Sequence, residues 1–158
     1  MKRRLRIRSE DHEGVFYVLD APDWVNVVAL TENREAVLVE QFRYGTDKPS
    51  LEIAGGVCDP GESPLETAKR ELEEETGYIS DNWSSLGKVS ANPAILNNYN
   101  HFFLAEGCTR TGEMSLDQHE RIKVHTLPYD DFLDRVRDGT IDHSIVVAAV
   151  AKLLLRET

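Results

Sequence analysis

The polar and apolar positions of this chain follow two periods, and the switch between them separates strands from helices. Leu5 and Ile7 alternate with Arg4, Arg6 and Arg8, the period-two pattern of a half-exposed strand. Residues 14–19 (GVFYVL) read as a second strand and residues 20–23 (DAPD) as a turn. Residues 25–30 and 36–42 are β-branched runs on either side of Thr31, Glu32, Asn33 and Arg34, which predicts a hairpin. After residue 62 the period lengthens. Ser63 as N-cap, Pro64 at the first helical position and Glu66 three residues after the cap open a helix. That helix is expected to end at Thr76, with Gly77 taking the left-handed conformation beyond it, and to bury a stripe of Leu65, Ala68 and Leu72. Strands are predicted at about 86–90, 101–105 and 121–127, and helices at 129–137 and 144–156 with Gly139 breaking between them. With no repeat, low-complexity tract or linker in the sequence, one α+β domain over residues 1–158 is the economical reading.

Composition narrows the classes of function. The chain has 158 residues, 41% of them apolar, which suffices for a core of its own. It carries 28 acidic against 18 basic residues, a net charge of −10, which argues against binding a nucleic-acid backbone. The longest apolar run, 145–151, is far short of the roughly 20 residues a bilayer requires, and the basic start is not followed by the apolar segment of a leader. Cys58 and Cys108 lie far apart without metal-type spacing and read as reduced thiols, so a cytoplasmic protein with no membrane or nucleic-acid partner is expected.

One segment resists a purely structural account. Glu62, Glu66, Glu71, Glu73, Glu74 and Glu75 crowd in and just before the predicted helix, with only Lys69 and Arg70 interspersed. At about 100° per residue, Glu71, Glu74 and Glu75 share the flank that borders the apolar stripe, at the lip of the core. Like charges so spaced cost about 0.2–0.5 kcal/mol per pair, and desolvation adds to that. A divalent cation removes the conflict, and carboxylate oxygens suit Mg²⁺ or Mn²⁺. The alternative is a salt-bridged surface helix anchored through Arg70. Gly55, Gly56 and Gly61 in the preceding loop allow sharp turns or close backbone approach to a ligand.

Gly56, five residues, Glu62, seven residues, then Arg70-Glu71-Leu72-Glu73-Glu74-Glu75-Thr76-Gly77-Tyr78 resembles the Nudix box, with all seven fixed positions present and Tyr78 where an aliphatic residue is usual. Outside the box, Gln41 to Gly45 and Leu51 to Gly56 are similar to the branch acting on ADP-ribose and other nucleoside diphosphate sugars. The resemblance implies an α/β/α sandwich with a mixed sheet and a Mg²⁺-dependent pyrophosphatase, Mn²⁺ being the other candidate metal. It implies Glu71, Glu74, Glu75 and the Gly55 carbonyl as metal ligands, with Arg70 orienting the glutamates and Glu74 and Arg70 counted in the catalytic machinery.

Arg43 becomes a substrate contact on this resemblance, or else the cation of a strand-end salt bridge. Glu52 binds metal or substrate, or pairs with a basic side chain. Pro93 occupies the place of a proline some fifteen residues beyond the box that serves substrate in this branch. The catalytic base is expected in the acidic stretch 112–121, with Glu120 favoured over Glu113 and Asp117. Asn92, Asn97, Asn98 and Asn100 bond sugar hydroxyls or stabilise turns, while His101, His119 and His125 are expected in structural or surface roles. Triphosphate and dinucleoside polyphosphate hydrolysis are the rival activities, and a non-catalytic nucleotide sensor the rival class. The branch also implies a homodimer in which N-terminal strands, here residues 1–20, cross to the partner.

Overall fold

The computed structural model describes residues 2–8, 13–112, 114–116 and 121–156. At its centre is β3 (Trp24–Thr31), apolar at every position but Asn26 and Thr31 and covered on both faces. Val25, Val27 and Ala29 point to one side of the sheet and Val28 and Leu30 to the other, as alternation along a strand requires. β3 pairs antiparallel with β4 (Glu35–Arg43) across the expected hairpin, where Arg34 takes a positive φ of 56°. It pairs parallel with β9 (Tyr99–Arg110), which makes the sheet mixed.

The backbone order is β10 (Lys123–Pro128), β4, β3, β9 and β7 (Tyr78–Ile79), with β8 (Asn82–Ser90) also on β9. β3 and β4 share only a short ladder before they diverge. The fork is filled by β5 (Lys48–Glu52), paired with β4, and β6 (Gly55–Val57), paired with β3. Val27 N–H donates to the Ala54 carbonyl at 2.9 Å and fastens the turn between them.

Helix α1 (Pro64–Thr76) covers one face through Ala68 and Leu72. Helices α2 (Tyr129–Arg137) and α3 (Ser144–Arg156) cover the other through Phe132, Val146, Ala149, Val150 and Leu153. The result is the expected α+β sandwich. Tyr78, the departure at the end of the box, packs against the α1-side cluster, so the aromatic ring serves the core there. β1 (Lys2–Arg8) and β2 (Glu13–Leu19) form a separate two-stranded antiparallel sheet, joined to the rest where Leu19 N–H donates to the Ile95 carbonyl at 2.8 Å. No described helix is long and apolar enough to cross a membrane.

Candidate active site

The acidic helix is set by local chemistry. Ser63 accepts from Glu66 N–H while the Glu66 carboxylate accepts from Ser63 N–H, a reciprocal capping box, and Gly77 closes the helix at φ 71°. One expectation fails: Leu65, assigned to the buried stripe, is 37% exposed. It lies in the first turn, outside the apolar cluster that receives Ala68 and Leu72 on the sheet, and the buried positions around them go to Thr67, Glu75 and Thr76.

The three glutamates differ in depth as their helical phase dictates. Glu75 is buried, and its Oε2 accepts from Gly55 N–H at 2.8 Å. Glu71 is nearly buried, and Glu74 is half-exposed. Gly56 lies so close to Glu71 that a Cβ there would meet Oε1 at 2.2 Å. The absent side chain of Gly56 is therefore the room that the Glu71 carboxylate occupies.

Arg70 ties the acids together. Its Nε and Nη2 donate to the two oxygens of Glu62, each at 3.1 Å, and its Nη1 donates to Glu71 and to Glu74, each at 2.9 Å. These bonds hold the guanidinium pKa above its usual value, with Glu62 the largest cause. In return, hydrogen bonds from Arg70 and then Thr67 bring the Glu62 carboxyl down to about 2. The salt-bridged anchoring through Arg70, the alternative to a metal site in the sequence, is thus present.

Among the described residues no three acidic, histidine or cysteine side chains already form a cage for a cation. The donor set nevertheless fits a hard divalent ion: carboxylate oxygens of Glu71, Glu74 and Glu75 beside the main chain of Gly55 and Gly56, with no soft ligand among them.

The glycine loop also forms one wall of a cleft of about 930 Å³, which opens where β3 and β4 diverge. Trp24, Asn26, Gln41, Arg43, Glu52 and His143 line it further along. Arg43 and Glu52 meet as a bidentate pair, Nε to Oε1 at 2.8 Å and Nη2 to Oε2 at 2.7 Å; the register sets Glu52 opposite Val39, and the long arginine side chain reaches it diagonally from further along β4. Burial raises the Glu52 pKa, and the Arg43 contact outweighs it, leaving the carboxyl below its usual value. The strand-end salt bridge expected of Arg43 is present, and the residue also lines the cleft.

Other candidates lie elsewhere. Pro93 is exposed, in a turn, and is not among the residues lining the cleft. Asn97 donates to Asp20 and Asn98 donates to the Pro22 carbonyl, so both stabilise turns. His101 bonds Asp23 at 2.8 Å, and His125 lies 3.4 Å from Glu40, structural and surface roles as expected. Cys58 and Cys108 are free thiols, and burial pushes Cys108 up to about 11. Glu120, Glu113, Asp117 and His119 fall outside the described residues. The sequence reading missed His143, which no motif marks; it precedes α3 and faces the cleft only because α3 packs across β3 and β8.

The family model described as the NUDIX domain matches residues 22–149. A methanol dehydrogenase activator of Bacillus methanolicus is 34% identical over 86% of this chain and 74% of its own length. An ADP-ribose pyrophosphatase of Bacillus subtilis is 31% identical over 89% of this chain and 76% of its own. A crystal structure of an ADP compounds hydrolase shares the fold, with a TM-score of 0.84 over 99% of this chain and 84% of that one, at 23% identity. With the complete box on the loop and helix just described, the chain belongs to the Nudix hydrolase family.

Proposed function

We propose that the protein hydrolyses the pyrophosphate bond of ADP-ribose or another nucleoside diphosphate sugar, giving a nucleoside monophosphate and a sugar phosphate. The observation that carries this reading is the box helix beside a cleft roomy enough for a dinucleotide-sized ligand, about 930 Å³, with Arg43 on its wall. The ADP-ribose pyrophosphatase relative supports the substrate class.

Glu71, Glu74, Glu75 and the Gly55 carbonyl are the residues to hold Mg²⁺ or Mn²⁺. When bound, such a metal polarises a pyrophosphate oxygen and lowers the pKa of an attacking water. Arg70 orients Glu71 and Glu74. Arg43, fixed by Glu52, supplies positive charge toward the diphosphate, and a planar guanidinium suits that anion. The base that takes the proton from the attacking water is assigned to Glu120. We infer further that the chain acts as one cytoplasmic domain and as a homodimer through its N-terminal strands.

The test is product identification after incubation with ADP-ribose, GDP-mannose and dGTP in the presence of Mg²⁺. A nucleoside monophosphate and sugar phosphate from either of the first two is the expected result. Efficient turnover of dGTP alone overturns the assignment.

A further inference from the structure

His143 immediately precedes α3 and lines the cleft beside Glu52. Its Nε2 stands 3.7 Å from Glu52 Oε2, beyond the 2.7–3.2 Å range of an N–H···O bond. Its Nδ1 is buried and has no hydrogen-bond partner among the described residues. A neutral imidazole carries one N–H. Nε2 is the ring nitrogen that faces the Glu52 carboxylate, and an N–H there points at that acceptor across the gap.

The spacing selects what fits. An oxygen about 2.8 Å from both atoms subtends roughly 83° between them, close enough to tetrahedral to bond each. That oxygen must accept from Nε2–H and donate to the carboxylate. A hydroxyl does both, a phosphate oxygen cannot donate, and an ammonium cannot accept. Glu52 is held in place by two bonds from Arg43, so the acceptor half of the arrangement is preorganised before anything binds.

Resting on the nucleotide-sugar reading above, we propose that His143 and Glu52 form a subsite for a sugar hydroxyl of the substrate. His143 is then a specificity-determining residue that the box does not include. Two sources of that hydroxyl share this chemistry, the nucleoside ribose and the distal sugar.

The experiment is calorimetric titration of the full chain, H143F and H143Q with three non-hydrolysable ligands in Mg²⁺. These are α,β-methylene ADP-ribose, the β-methyl ester of α,β-methylene ADP, and the 2′,3′-dideoxy form of that ester, which has no free sugar hydroxyl. His143→Phe is expected to weaken the ADP-ribose analogue about tenfold, the worth of one hydrogen bond, and to leave the dideoxy ester unchanged. His143→Gln, which keeps an N–H donor, restores part of the loss. Loss confined to the ADP-ribose analogue assigns the distal sugar, and loss extending to the β-methyl ester assigns the nucleoside ribose. Equal weakening of all three ligands, or no weakening of any, overturns the subsite while leaving the nucleotide reading intact. Failure of the unmutated chain to bind any of them overturns both.

Discussion

At the scale of single residues, the Arg43–Glu52 pair shows how burial decides which partner matters more. Glu52 is 1% exposed and the Arg43 side chain 43%. Removing the arginine leaves a buried carboxylate uncompensated, which costs about 3–5 kcal/mol; removing the acid leaves a half-solvated guanidinium and costs about 1–3 kcal/mol. Arg43→Met is therefore expected to lower the urea midpoint well below that of Glu52→Gln, and the reverse order would mean that the pair is solvated. Glu62 provides a test of sign. Its carboxyl titrates near 2 in the folded chain against an ordinary value of 4.5, so its stabilisation is complete above about pH 4.5 and is lost as pH falls toward 2. Glu62→Gln should lower the urea midpoint at pH 7 and converge on the unmutated chain near pH 2. A gap that persists at pH 2 would assign the loss to Thr67 and packing and not to charge.

At the scale of elements, β6 and α1 are built around two glycines with different neighbours. A Cβ at Gly55 would stand 2.2 Å from the Val25 carbonyl, main chain in the central strand that has nowhere to move. A Cβ at Gly56 would strike the end of the Glu71 side chain, which can swing away. Gly55→Ala is thus expected to lower stability by about 1–3 kcal/mol as an overpacked core site does. Gly56→Ala should melt near the unmutated chain yet lose at least about tenfold in turnover, because the Glu71 carboxylate, proposed above as a metal ligand, is displaced. Equal melting temperatures for the two variants would refute this division. The same elements mark what the sequence could reveal. Helix α1 was legible because its caps, proline and glycine act within a few residues of one another, and α2 and α3 are bounded by similarly local breaks. β5 and β6 were not, since Lys48–Glu52 contains Pro49 and Gly55–Val57 contains two glycines, and neither alternates; pairing with β4 and β3 makes them strands. The box residues could be read because their spacing is fixed along one helix and loop. His143 could not, because it reaches the cleft through tertiary packing alone.

At the scale of the whole molecule, charge and topology set the N-terminal hairpin apart from the rest. Residues 1–8 carry five basic side chains and no acid, which leaves −15 on the remaining residues. The β1–β2 ribbon lies outside the eight-stranded sheet, and a two-stranded ribbon by itself is at best marginally stable in water. Val15 and Tyr17, on one face of β2, are exposed. The register sets Arg6 opposite Val15 and Arg4 opposite Tyr17; under the homodimer proposed above, the complement of this basic ribbon is the acidic body of a second copy, where opposite charge guides the approach and apolar burial holds it. Deleting residues 1–19 is therefore expected to convert a dimer, of about twice the 17.9 kDa chain mass by light scattering, into a monomer with its main sheet intact by circular dichroism. Raising salt from 0.05 to about 1 M should weaken the full-length dimer, because the Debye length falls to about 3 Å. A full-length chain that is monomeric at micromolar concentration, or a dimer that survives the deletion, would remove the hairpin from the assembly and leave its exposed face without this role.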